Sequence, residues 1–133
     1  AALGTTLGEL FESMEEPTDV AVVKKDDRFQ VAKNGPPFGY IYESLSLKKR
    51  DRIMAPFVVT VLPKDQSNDK EIEFQHAGEE FDFVLEGKIK YIIDDREYIL
   101  ETGDSIYFNS AIKHRVEALE NKPAVTLSVH ASK

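Results

Sequence analysis

The sequence predicts an all-β domain, a small barrel or sandwich of antiparallel strands behind one short N-terminal helix. Three observations carry this. Val, Ile, Phe and Tyr account for 33 of the 133 residues, against 22 for Leu, Ala and Met, and β-branched and aromatic side chains suit a pleated, half-buried surface. Apolar and polar residues alternate with period two through most segments after Pro17, as strands with two unlike faces require. Turn signals recur at short intervals, among them Asn34-Gly35-Pro36-Pro37, Asp94-Asp95 and Glu101-Thr102-Gly103-Asp104, which is the rhythm of a sandwich or barrel.

Residues 1–16 stand apart from that pattern. Gly4 reads as a helix C-terminal glycine, and Thr6-Leu7-Gly8-Glu9 is a capping box, with Thr at the N-cap and Glu three residues later. Leu7, Leu10, Phe11 and Met14 then share one helical stripe, before Glu15-Glu16 and Pro17 end it. A helix of this length is marginal alone in water, so its stripe calls for a partner upstream of residue 1. The expected organisation is therefore a helical remnant plus linker over 1–16 and one β domain over 17–133.

Within that domain the alternation predicts strands at Asp19 to Val23, Arg28 to Ala32, Tyr40 to Leu45, Pro56 to Leu62 and Glu71 to Gln75. It continues with Glu80 to Leu85, Lys88 to Ile93, Glu97 to Leu100, Ser105 to Phe108, His114 to Leu119 and Ala124 to His130. Lys24 to Asp27 reads as a charged turn and Pro63 to Lys70 as a surface loop. The basic run Lys48-Lys49-Arg50-Asp51-Arg52 reads as a solvated loop.

Composition excludes several functions. Lys and Arg number 17 and Asp and Glu 24, a net charge of −7, which argues against gripping phosphate backbone over a broad surface. The chain has no cysteine, so thiolate metal sites, disulfides and cysteine nucleophiles are ruled out, in keeping with a cytoplasmic setting. No apolar run approaches the ~20 residues a membrane-spanning helix needs, and no membrane association is expected.

The histidines are His76, His114 and His130. Alternation puts His114 on one strand face with Val116 and Ala118, so it points with the apolar set toward the interior. Glu80, Asp82 and Val84 share a face opposite Phe81, Phe83 and Leu85; hydrophobicity by itself does not say which face is inside. A second buried carboxylate is costly unless paired, metal-bound or protonated. Asp82 is thus either a solvated residue near the barrel mouth or a polar handle for a cationic or hydroxylated ligand. His130 follows Thr126 and Ser128, opposite Val125, Leu127 and Val129, and near a chain end this reads as a solvated strand face.

The run His76-Ala77-Gly78-Glu79-Glu80-Phe81-Asp82-Phe83-Val84-Leu85-Glu86-Gly87 resembles the first motif of the cupin superfamily. His76 stands at its second His, Glu80 at its Glu and Gly87 at its Gly. Gly103 to His114 is similar to the second motif. Phe74 takes the place of the first motif's leading His, Asn68 that of an upstream Gly, and Asn109 and Ala111 those of the second motif's Pro and Gly. Met54 to Val59, His76 to Gly87 and Gly103 to Arg115 together resemble the C-terminal cupin of bacterial helix-turn-helix regulators of the XRE, or phage-repressor-like, type. Ala2 to Phe11 is similar to the end of their DNA-binding domain.

That resemblance implies a jelly-roll barrel, also called a double-stranded β-helix, with a ligand pocket formed by His76, Glu80, Asp82 and His114. It implies a divalent metal on His76, Glu80 and His114, since two imidazoles and a carboxylate with open positions suit iron(II) and also accept zinc, nickel or manganese. The expected function is a sensor that binds a small effector and adjusts an attached helix-turn-helix domain. DNA would be reached only through that preceding domain, and a homodimer would match a palindromic operator. The alternative is a metal-dependent cupin enzyme of the non-haem iron oxygenase or epoxidase type.

Overall fold

The computed structural model describes residues 18–31, 39–64 and 73–132. Nine strands run through them: β1 (Phe29–Val31), β2 (Tyr40–Ser44), β3 (Met54–Val61), β4 (Glu79–Glu86), β5 (Lys88–Ile93), β6 (Arg96–Glu101), β7 (Ser105–Asn109), β8 (His114–Ala118) and β9 (Ala124–Ala131). One sheet has the order β1-β2-β3-β9-β4-β7 and the other the order β6-β5-β8. Every ladder in both is antiparallel. The all-β class and the barrel of two antiparallel sheets are as the composition and alternation predict.

Departures fall where a segment lacks a neighbour to pair with. Asp19 to Val23 forms no strand: Thr18 alone makes a bridge, to Lys49, and Val20 and Val22 stay largely exposed. Lys25–Asp27, in the expected turn, is a single 3-10 turn. Of the strand expected at Glu71 to Gln75, the described part contributes only an isolated bridge from Phe74 to His114. The helix read over residues 1–16, the Asn34 to Pro37 turn and most of the 63–70 loop lie outside the described residues.

The core lies between the sheets and is built from Tyr40, Val59, Val61, Val84, Ile89, Tyr91 and Ala124. Each comes from a strand position that alternation turns inward, and burying such side chains contributes about 1.5–3 kcal/mol apiece. On β4 the usual rule is reversed. Glu80 and Asp82 are buried beside Val84, while Phe81, Phe83 and Leu85 on the opposite face are 37–45% exposed. Once β4 hydrogen-bonds β9 on one side and β7 on the other, Val84 locks the register, and period two carries the two carboxyls inside with it.

Candidate functional site

A cavity of about 400 Å³ opens between the sheets. Its polar wall comes from the start of β4, the end of β9 and the start of β8. Gly78 makes the first of these possible. Its φ of +105° is one that L side chains rarely adopt, and a Cβ there would lie 2.0 Å from the Ala131 carbonyl oxygen. A glycine lets the chain turn tightly against the end of β9, so that His76 and Glu80, on either side of it, converge.

One oxygen of Glu80 is the meeting point. Its Oε1 lies 3.2 Å from His76 Nε2, 3.4 Å from His130 Nε2 and 3.7 Å from His114 Nε2. Ligand atoms of His76, Glu80 and His130 all fall within 4.8 Å of one another, and His114 joins that set through Glu80. The His76 and His130 rings stack with centroids 4.6 Å apart and 7° between planes. The structure therefore brings together the three residues expected from the motif and adds His130, which turns inward and not to the solvent that its place near the chain end suggests. His130 turns inward because it follows the buried Thr126 and Ser128 at period two along β9.

His114 is anchored through its second ring nitrogen. Its Nδ1–H donates to the Ile112 carbonyl at 2.7 Å. That carbonyl can only accept, so the proton sits on Nδ1 and the Nε2 lone pair is left facing Glu80. Phe108 meets the ring edge-on at 4.9 Å, and Phe74 lies along it at 6.1 Å and 30°. Phe74, in the place of a motif histidine, thus supplies an apolar wall beside the His114 ring. Burial, chiefly, lowers the His114 pKa, favouring the neutral ring a metal ion requires.

Beneath the histidines, Asp82 is 3% exposed and accepts the Tyr91 hydroxyl on Oδ2 at 2.6 Å. Its Oδ1 is fully buried and meets no well-aligned donor among the described residues. Burial first, and then the charge of Glu80, hold Asp82 well above the usual carboxylate range. Burial also raises Glu80, partly offset by a hydrogen bond from Asp82. Tyr40 donates to the Val116 carbonyl at 3.1 Å, and its hydroxyl is pushed up to about 12 by burial. Tyr42 and Tyr91 are pushed higher, again mainly by burial. All three are neutral hydroxyls at neutral pH.

Asp82 proves buried rather than solvated at the barrel mouth. Tyr42, Tyr91 and Ser128 also line the cavity and were not foreseen. A signal for Ser128 and His130 exists in the sequence: Thr126-x-Ser128-x-His130 repeats on β9 the polar alternation of Glu80-x-Asp82 on β4.

The donor set suits a divalent cation. Imidazole nitrogens and a carboxylate oxygen converge with no lysine or arginine among the described lining residues, and such sets bind zinc, iron(II), nickel or manganese. Separations of 3.2–3.7 Å about Glu80 Oε1 require only small side-chain rotations to admit an ion at the usual ~2.0–2.2 Å bond lengths.

Comparison with known proteins points in two directions. The Cupin domain family (Cupin_2) matches residues 57–130. The chain is 31% identical, over 94% of its length, to (S)-2-hydroxypropylphosphonic acid epoxidase of Streptomyces wedmorensis, spanning 66% of that protein. It superposes on a structure of that epoxidase with a TM-score of 0.72 at 32% identity, covering 96% of this chain and 69% of the other. It is also 29% identical, over 84% of its length, to the HTH-type transcriptional regulator PuuR of Escherichia coli (strain K12), spanning 57% of it. The Cupin_2 domain of an XRE family transcriptional regulator from Enterobacter cloacae has the same fold, with a TM-score of 0.61 at 15% identity over 71% of this chain and 98% of that one. The chain thus spans between about half and two thirds of the length of these curated relatives. No helix among the described residues is long and apolar enough to cross a membrane.

Proposed function

The chain belongs to the cupin family, and from that premise we propose that it is the small-molecule-sensing domain of an XRE-type transcriptional regulator, with a divalent ion in its pocket. The observation that carries the reading is the convergence of His76, His130 and His114 on one oxygen of Glu80 inside the cavity between the sheets. His76, Glu80 and His130, whose ligand atoms lie within 4.8 Å of one another, hold the ion, and His114, 3.7 Å from Glu80 Oε1, adds a fourth bond. The ion would act as a Lewis acid toward an oxygen of the bound molecule. Occupancy of the pocket is passed to an attached helix-turn-helix domain, through which alone the protein touches DNA, and a homodimer matches the two-fold operator. Similarity to PuuR over 84% of the chain supports this reading.

A second reading, a metal-dependent enzyme, is favoured by the 31% identity to the epoxidase and by another of its structures, described as Fe(II)-HppE with an alternative substrate, at a TM-score of 0.70 and 25% identity. One experiment separates the two. Metal-stripped protein is titrated anaerobically with zinc and with iron(II), and the iron-loaded form is then assayed with (S)-2-hydroxypropylphosphonic acid and added peroxide as the two-electron oxidant. Stoichiometric binding without epoxide is the expected result. Epoxide formation transfers the conclusion to the enzyme. Failure to bind either ion below about 100 µM, roughly 5.5 kcal/mol, removes the metal from both.

A further inference from the structure

We propose that a second cavity, lined by Arg52, binds an amphipathic monocarboxylate. The carboxylate seats on the Arg52 guanidinium, and the alkyl chain lies along the apolar inner face of β1, β2 and β3. This site requires no ion and goes beyond the ion-centred reading above. The cavity measures about 480 Å³, in the range that houses small organic ligands. Strand pairing explains why it exists. Val31 lies opposite Tyr42, Tyr42 opposite Val59, and Ser44 opposite Phe57, and directly opposed residues share a sheet face. These positions continue the core-facing side of the six-stranded sheet toward its β1 edge. The facing sheet has only three strands, and none of their residues is among those described as lining this cavity.

Access and charge are both in place. Arg52 is exposed, and a guanidinium stays protonated in proteins. Its Nη1 donates to the Ser46 carbonyl at 3.2 Å and lies 3.5 Å from Ser46 Oγ. Ser46 is itself buried, so the contact steadies the guanidinium from one side. Five N–H donors in a planar fork leave several for an anion, and such a fork takes a carboxylate bidentately. The arginine ion pairs among the described residues are those of Arg28, Arg50 and Arg115, so no carboxylate there occupies Arg52. No Asp or Glu is among the described residues lining the cavity.

The lining decides what should arrive there. Arg52 is the sole lysine or arginine among the described lining residues, so it matches one negative charge. A dianion would leave its second charge unanswered in a protein of net charge −7. An ammonium would meet a like charge, and an alcohol brings none, whereas charge-assisted hydrogen bonds are roughly twice as strong as neutral ones. The rest of the wall is apolar. Val31, Leu47 and Phe57 line it with Ile53 and Met54, which are 80% and 54% exposed. Covering side chains left this open removes apolar surface from water, which an alkyl chain does and a bare carboxylate does not. Tyr42 and His130 line this cavity and the ion-centred one alike, so the two spaces adjoin.

The test is an NMR titration of 15N-labelled, metal-stripped protein near neutral pH with hexanoate, n-hexylammonium, 1-hexanol and acetate. Hexanoate is expected to bind at least about tenfold tighter than the amine or the alcohol, and about tenfold or more tighter than acetate. The amides it shifts should centre on Leu47 to Phe57. In Arg52→Gln, the preference of hexanoate over 1-hexanol should shrink to near unity. Ile53→Asp, at a largely exposed position, sets a like charge at the wall and should weaken hexanoate by about tenfold. No hexanoate binding, equal binding of hexanoate and 1-hexanol, an undiminished preference in Arg52→Gln, or shifts centred elsewhere would each overturn the proposal. The wild-type ratios and shifts decide the matter if a variant fails to fold. Repeating the titration with zinc separates the two sites. Hexanoate that binds only zinc-loaded protein is a ligand of the ion and overturns this site alone. Hexanoate binding in a protein that takes up no zinc removes the metal reading alone.

Discussion

Glu80 and His130 sit directly opposite each other on β4 and β9, with His130 Nε2 3.4 Å from Glu80 Oε1. Directly opposed residues in an antiparallel pair share a face with Cβ atoms about 4.5–5.5 Å apart, so the backbone register alone delivers this imidazole to the carboxylate. His76 reaches the same oxygen through the turn at Gly78, and His114 from the facing sheet. Three separate backbone devices thus aim at one atom.

If that convergence holds an ion, its members should not be equivalent to their neighbours. His76→Ala and Glu80→Gln are each expected to weaken zinc binding by at least about tenfold, or 1.4 kcal/mol. His130→Ala should also weaken it, which a solvated histidine would not do. Gln75→Ala, whose amide donates to the exposed Ala111 carbonyl, should leave it unchanged. Competition titration with a chromophoric chelator gives all four numbers.

Gly78→Ala is expected to destabilise the fold by about 2–4 kcal/mol, because the residue must keep a left-handed φ and its Cβ would press on the Ala131 carbonyl. Since the relief is to push β4 from the end of β9, zinc affinity should fall with stability. Denaturant unfolding alongside the metal titration checks both.

The reversed faces of β4 make a contrast that hydrophobicity would not suggest. Val84→Ala removes two methyl groups from a fully buried site and should cost about 1–3 kcal/mol. Phe83→Ser, on the outer and partly exposed face, should cost less than that despite deleting a larger apolar group. Urea midpoints of the two variants provide the comparison.

Stability should also respond to pH through Asp82. Its folded-state carboxyl is held well above the ordinary value by burial and by Glu80, so the folded state binds the proton more tightly than the unfolded chain. A raised pKa contributes stability that is complete below the unfolded value and is lost as pH rises through the folded one. Asp82→Asn cannot lose that contribution. Relative to wild type, the variant should therefore gain stability as pH is raised from about 4 toward neutrality. His114 works in the opposite sense: its lowered pKa adds stability as pH climbs toward the ordinary histidine value. Asp82 is among the groups that hold His114 up toward its ordinary value, so its replacement deepens the His114 shift and acts in the same direction as the loss of the Asp82 proton. Thermal melts of the pair across this range test it, and a constant difference would count against a buried, proton-holding Asp82.

Tyr91→Phe removes the hydroxyl that satisfies Asp82 Oδ2. The expected cost is about 1–3 kcal/mol, and in Asp82→Asn the same change should cost less. A double-mutant cycle measures that coupling.

Much of this molecule could be read from local pattern. Period two is a property of the strand itself, so β5 is found at Lys88–Ile93 as expected, and β4, β7, β8 and β9 begin and end within a residue or two of their expected bounds. That His76, Glu80 and His114 share one pocket is what the resemblance to the two cupin motifs implies; alternation by itself gives only the inward turn of His114 and the common face of Glu80 and Asp82. Asp19 to Val23 alternates in the same way and yet makes no strand, since a ladder needs a partner that alternation does not supply. The orientation of β4 was equally out of local reach: Glu80, Asp82 and Val84 share a face whichever way the strand lies, and only packing of Val84 among Ile89, Tyr91 and Ala124 puts that face inside. His130 stands 50 positions beyond Glu80 in the chain. Its place in the site is decided by β9 pairing with β4, a long-range choice made by the burial of both strands; the local alternation Thr126-x-Ser128-x-His130 marks a polar face without saying what that face meets.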